Sequence, residues 1–159
     1  MIIEEAIKTF LTDATDGDQT QSARNTARSA IASDIGLRVY LGRRPQGSTG
    51  PAVTLRRVTS QRYDDLAGED GTVQHRVDVN VWTKRDSVPP AKVCDIADNI
   101  RQALGQYRGT MGDVTVLGVT LERDAMEIVI PPRDGSDDWS FVYSMEFKLT
   151  YGQTAVTAL

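Results

Sequence analysis

A chain of 159 residues, 40% hydrophobic and 25% charged, is long enough to bury one core, and one domain over 1–159 is the default. Its net charge of −4 argues against generic nucleic-acid binding. The single cysteine, Cys94, excludes an intramolecular disulfide and a cysteine-based zinc site, and fits a reducing compartment such as a cytoplasm. No apolar run approaches the ~20 residues that span a bilayer, so no membrane partner is expected. The opening MIIEEAIK lacks the basic flank of a signal peptide.

In chain order, Ile2, Ile3, Ala6, Ile7, Phe10 and Leu11 fall on one face of a short amphipathic helix, with early glutamates at its positive end. Thr12–Gln21 is a polar linker, and Ser22–Asp34 is read as a second helix facing inward through Ala27, Ala30 and Ile31. Gly36 stops it. Leu37–Leu41 is a short strand, and Gly42–Pro51 is a Gly/Pro loop. In Val53–Arg62, Val53 and Leu55 face in, while Thr54, Arg56, Ser60 and Arg62 face out. Tyr63–Thr72 reads as a long hairpin loop ending in Asp-Gly turn chemistry. Val73–Thr83 is a strong strand with Val73, His75, Val77, Val79 and Val81 on one face.

Pro89 and Pro90 suit the entry to a helix over Ala91–Tyr107, whose apolar stripe runs Val93, Ile96, Ala97, Ile100, Leu104, Tyr107, with Gly109 as its end. Val114–Glu122 is the next strand, and Glu127–Ile130 continues it or pairs with it. PPRDGSDD is a turn. Trp139–Tyr151, WSFVYSMEFKLTY, has a large apolar or aromatic residue at every odd position, so one long strand with one buried face should organise the core. Residues 153–159 read as a loose tail. The fold class expected is α+β: a mostly antiparallel sheet with two or three helices on one face.

No catalytic constellation emerges. His75 is the only histidine and lies on the inward face of a valine strand, a structural position. Cys94 sits beside the helical stripe and reads as a buried, inert thiol. Gly42–Thr49 resembles a phosphate loop only superficially, because it has no Lys before the Ser and no helix after it. The acidic clusters at Asp13/Asp16/Asp18 and Asp134/Asp137/Asp138 lack calcium-loop spacing. No catalytic, cofactor-binding or metal-binding residue is assigned, no cofactor is expected, and the chain is not read as an enzyme.

Several stretches taken together resemble the tail completion or tail terminator proteins of long-tailed bacteriophages, a family related to HK97-type tail components. They are an N-terminal helix; Ile35–Gly42, IGLRVYLG, followed by Pro45-Gln46-Gly47 and Pro51; Arg76–Trp82, RVDVNVW; a helix ending Ile100–Leu104, IRQAL; and the closing strand Tyr143–Tyr151. The resemblance implies a structural protein, made in the host cytoplasm and carried in the virion tail at the end nearest the head. It implies a ring of identical copies, typically six, that caps the tail tube and presents a surface to the head connector. The implied partners are thus further copies of the chain, the tail tube protein and the head–tail connector or stopper protein.

Between Ala23 and Arg62 stand eight arginines, Arg24, Arg28, Arg38, Arg43, Arg44, Arg56, Arg57 and Arg62, against one acid, Asp34. A solvated face is the plain explanation. The functional one is an interface. Arg43 and Arg44 project from the Gly/Pro loop. Arg56 and Arg62 share the outward face of one strand, about 20 Å apart. Tyr63 and Trp82 are aromatic interface candidates, and Asp64 and Asp65 belong to the acidic surface such arginines would meet. The alternative is a DNA- or small-ligand-binding α+β module using the 24–62 surface. Single-strand binders stack bases on aromatic rings, and only Tyr40 lies among these arginines, which argues against specific DNA binding.

Overall fold

The computed structural model describes residues 2–13, 20–43, 50–65, 68–84, 89–129 and 140–152. Three helices are present, α1 (Ile3–Thr12), α2 (Ser22–Ile35) and α3 (Pro90–Leu104), together with strands β1 (Val39–Leu41), β2 (Ala52–Asp65), β3 (Gly68–Lys84), β4 (Gly109–Met111), β5 (Val114–Val129) and β6 (Ser140–Gly152). Among the described residues the strands form one sheet in the order β1-β2-β3-β6-β5-β4. Only β1 with β2 is parallel. This is the expected α+β class.

The strand around Trp139–Tyr151 occupies the place its composition predicts. β6 lies between β3 and β5, and its odd residues Met145, Phe147 and Leu149 are buried. Val79 faces Met145, Val77 faces Phe147 and His75 faces Leu149, so two strongly apolar strands share one buried face. α3 lays Val93, Ile96, Ala97, Ile100 and Leu104 against that face. α1 adds Ile3, Ala6, Ile7, Phe10 and Leu11, and α2 packs along α3 through Ala27 and Ile31. Ala30, expected to face in, is half-buried, and Ile2, expected on the buried face of α1, lies before the helix and is exposed.

Four boundaries differ from the sequence reading, each for a local reason. α2 ends where expected, at Gly36 with φ of 56°. α3, however, stops at Leu104 rather than Tyr107. A Cβ at Gly105 would sit 2.6 Å from the Arg101 carbonyl oxygen, and Gln106 follows at φ 55°. Tyr107 therefore leaves the helix and packs its ring 4.5 Å from that of Phe10. Gly109, taken as a helix stop, opens the short strand β4. β1 begins at Val39, leaving Leu37 exposed. Of the Tyr63–Thr72 stretch, residues 63–65 and 68–72 are strand and not loop, with β2 and β3 pairing on through Asp64↔Glu69 and Asp65↔Gly68, and residues 66–67 lie outside the described residues. β5 runs without a break across Glu122–Val129.

Bulges decide which side chains share a face. The pairing of β2 with β3 slips between Arg57 and Thr59, leaving Val58 as an extra residue. Ser60 and Arg62 consequently lie opposite His75 and Val73, on the buried side of the sheet, and not with Arg56 as strict alternation requires. β5 carries two similar slips, at Leu117 and Glu122. Thr54 does lie on the side opposite Val53, but it is buried beside Trp82, whose Nε1 donates to its Oγ1 at 2.8 Å. Residues 14–19 of the polar linker, 44–49 of the Gly/Pro loop, 131–139 with the PPRDGSDD turn and Trp139, and the 153–159 tail lie outside the described residues.

Candidate interaction surface

Four of the eight arginines of this stretch, Arg24, Arg28, Arg38 and Arg57, hold other parts of the fold together. Arg24 donates to the carbonyls of Gln102, Ala103 and Gly105 and stands 5.1 Å from the Tyr107 ring centroid. It thereby caps the carbonyl end of α3, the negative end of the helix dipole. Arg28 is 0% exposed. Its Nε donates to the Phe10 carbonyl at 2.7 Å, another nitrogen donates to the Asp13 carbonyl, and the guanidinium lies 3.9 Å from the Phe10 ring centroid. Arg38 ties the end of α2 to the start of β2 by donating to Asp34 and Pro51 carbonyls. Arg57 makes a forked pair with Glu4 of α1, at 2.9 and 2.8 Å. The 24–62 surface that the alternative DNA- or ligand-binding reading would use is thus interrupted by these internal partners.

The interface candidates fall into separate places. Arg43 is exposed and lines an open depression of about 320 Å³ with Gly42, Thr54 and Trp82. Arg44 lies outside the described residues. Arg56 is exposed and pairs with Asp78 at 2.8 Å. Arg62 is on the other face, as the bulge dictates. The Tyr63 hydroxyl donates to Gln74 Oε1 at 3.1 Å. Asp64 and Asp65 extend β2, and their side chains lie outside the described residues. The structure brings Arg43 and Trp82 together; it does not join them to Arg62, Tyr63 or the two aspartates.

Beyond these candidates, the polar side of the sheet carries a mosaic of ion pairs. Arg56–Asp78 is followed by Arg76–Glu146 at 3.5 Å, Arg123–Glu146 at 3.6 Å and Lys148–Glu122 at 3.3 Å. Glu146 and Lys148, at even positions of the organising strand, were the sequence signal for this mosaic. Each exposed pair contributes only ~0–1 kcal/mol, so the mosaic specifies charge pattern more than stability.

One cluster superficially suggests chemistry. Ser60 Oγ and His75 Nε2 share a hydrogen bond of 2.7 Å, and the Tyr151 hydroxyl lies 3.3 Å from His75 Nδ1. The imidazole is 3% exposed, and burial first, then the Arg57 charge, pushes its pKa down to about 4. A base that weak is poorly matched to activating a serine at neutral pH. The cluster instead ties β2, β3 and β6 together around the buried imidazole. Burial likewise pushes the Tyr151 hydroxyl up. At Glu4, burial raises the pKa, but the hydrogen bonds from Arg57 and from its own backbone, with the Arg57 charge, hold it below the usual carboxylate value. Cys94, expected to be buried, is half-buried with its Sγ 3.7 Å from Met126 Sδ. Among the described residues no group of three or more His, Cys, Asp or Glu is placed to hold a metal ion.

Comparison with known proteins bears on this surface as follows. No curated protein sequence matches the chain. A solved chain from the "Virion of native gene transfer agent (GTA) particle" superposes with a TM-score of 0.50 at 18% identity, over 84% of this chain and 95% of its own, a likeness of fold. A further solved chain aligns at 10% identity over 87% of this chain and 99% of its own, with a TM-score of 0.41 too low to bear on the fold. The family described as "Tail completion protein gp17" matches residues 22–126, from the first residue of α2 into β5, and the chain belongs to that family of phage tail proteins.

Proposed function

We propose that the chain is a tail terminator: a ring of identical copies, six in the typical arrangement, that caps the tail tube and joins it to the head connector. It is a structural protein of the phage virion tail, and assembly with other tail and head proteins follows from that role. The family match across residues 22–126 carries the reading. The fold supports it in a second way. Among the described residues two long strands present unpaired stretches of edge, and an unpaired edge is a liability unless a neighbour covers it. Cyclic symmetry covers every such edge with one repeated contact.

The ring reading assigns no catalytic step to this chain. Arg43 and Trp82 form one contact region in this proposal, and Tyr63 near the end of β2 forms another. The competing reading, a DNA- or ligand-binding module on residues 24–62, loses the surface it needs, because Arg24, Arg28, Arg38 and Arg57 hold internal partners. Complementation tests the proposal. A phage lacking this chain should accumulate heads and tails that do not join, and supplying the protein should restore joining. Normal joining without the chain, or tight binding of DNA by the purified protein in light scattering, would overturn it.

A further inference from the structure

We infer that the ring closes by strand addition, the outer edge of β2 in one copy pairing antiparallel with the outer edge of β5 in the next. The inference rests on the ring reading above and names the contact that makes the ring. In β2, β1 covers only Val53–Leu55, and Gly42 N–H takes the Leu55 carbonyl. In β5, β4 covers only Val114–Val116, and Gln106 N–H takes the Val119 carbonyl. Beyond those points no described strand pairs with residues 56–65 of β2 or 120–129 of β5 on their outer sides. The two free edges are therefore matched in length.

Direction and apolar surface agree. β2, β3, β6 and β5 alternate in direction, so β2 and β5 run opposite ways in one copy. Copies related by rotation about an axis then present antiparallel edges to each other. Each edge also exposes a large apolar side chain: Val58 is 44% and Met126 46% exposed. Facing Val58 with Met126 sets Ser60 by Asp124, both on the helix-covered side, and Thr59 by Ala125, both on the polar side. It also overlays nearly the whole of both free edges.

That register implies a definite slope. Ser60, His75, Leu149 and Val119 lie at one level across the four long strands. Moving Ser60 of the next copy from Val119 to Asp124 is a slide of four rungs, the step from Leu149 to Met145 on β6 because Glu122 is a bulge, or ~13 Å over four strands spanning ~19 Å. The strands then tilt by about 35° to the ring axis, at the lower end of the usual range for closed barrels. The stagger of the two free edges is thus the stagger that sheet closure requires.

Cysteine pairs read the contact directly. In a Cys94→Ser background, Thr59→Cys with Ala125→Cys places two exposed positions opposite each other, within disulfide reach for facing strand residues. Tails assembled with this double variant and mildly oxidised should yield a ladder of covalent oligomers ending at the ring. Either single variant should yield none. Gln61→Cys with Ala125→Cys reports a register shifted by two residues. Rings visible at the tail end with no cross-linking from either pair would overturn strand addition while leaving the ring intact. Tails with no ring would remove both.

Discussion

Acidification to pH 5 should weaken this fold through His75. The imidazole is 3% exposed and its pKa is pushed down to about 4, by burial first and by the Arg57 charge second. In the unfolded chain it titrates near 6.5. As the pH falls below that value the unfolded chain takes up a proton that the folded chain refuses, so stability falls until about pH 4 and then levels off. Linkage gives a loss of ~2 kcal/mol between pH 7 and pH 5, and ~3 kcal/mol by pH 4. Glu4 acts lower on the scale. Its folded pKa is depressed, so its contribution is present above the ordinary carboxylate range and is lost as the pH falls through the folded value. Urea unfolding of wild type beside His75→Gln at pH 7, 6 and 5 isolates the histidine, because the other groups cancel in the difference. The wild-type curve should converge on or cross that of the variant as the pH falls. This is the only histidine, so its ring signal in an NMR titration should also keep its neutral shift down to pH 5. Parallel stability profiles, or a midpoint near 6.5, would refute the buried placement of His75.

Phe147→Ala should cost ~3–5 kcal/mol in urea unfolding, the usual cost of emptying a fully buried aromatic site; a loss under ~1 kcal/mol would mean that the face of β6 is assigned wrongly. Arg28→Met keeps much of the volume but leaves the Phe10 and Asp13 carbonyls without their donors, for an expected loss of ~2–5 kcal/mol; a variant as stable as wild type would show that water replaces the guanidinium. Arg43→Glu with Arg44→Glu should leave the monomer within ~0.5 kcal/mol of wild type. It should also reduce binding at the tail end, most visibly at low salt; equal binding at low salt would return these arginines to the solvated face.

The sheet was legible because its signal is periodic. The alternation in Val73–Thr83 and Trp139–Tyr151 fixes which residues are buried, and the stripe from Val93 to Leu104 fixes the face of α3. What strict alternation cannot express is a bulge. One extra residue at Val58 carries Ser60 and Arg62 to the other side of the sheet, and so undid the pairing of Arg56 with Arg62. The end of α3 depended on Gly105 and the left-handed Gln106, whereas the apolar pattern alone runs on to Tyr107. The arginine block misled for a different reason. A cluster of like charge in sequence says nothing of the carbonyls and carboxylates that tertiary folding brings to each guanidinium, such as Glu4 for Arg57 across 53 positions. The long β2–β3 hairpin was hidden because Asp, Glu and Gly at its end imitate turn chemistry while still pairing.

Averaged electron images of isolated tails, wild type beside tails lacking this chain, bear most directly on whether it forms a ring at the end nearest the head. A ring-forming terminator predicts added density of cyclic, sixfold symmetry at that end, lost without the chain and restored by the purified protein. Tail ends that look the same with and without the chain would contradict it.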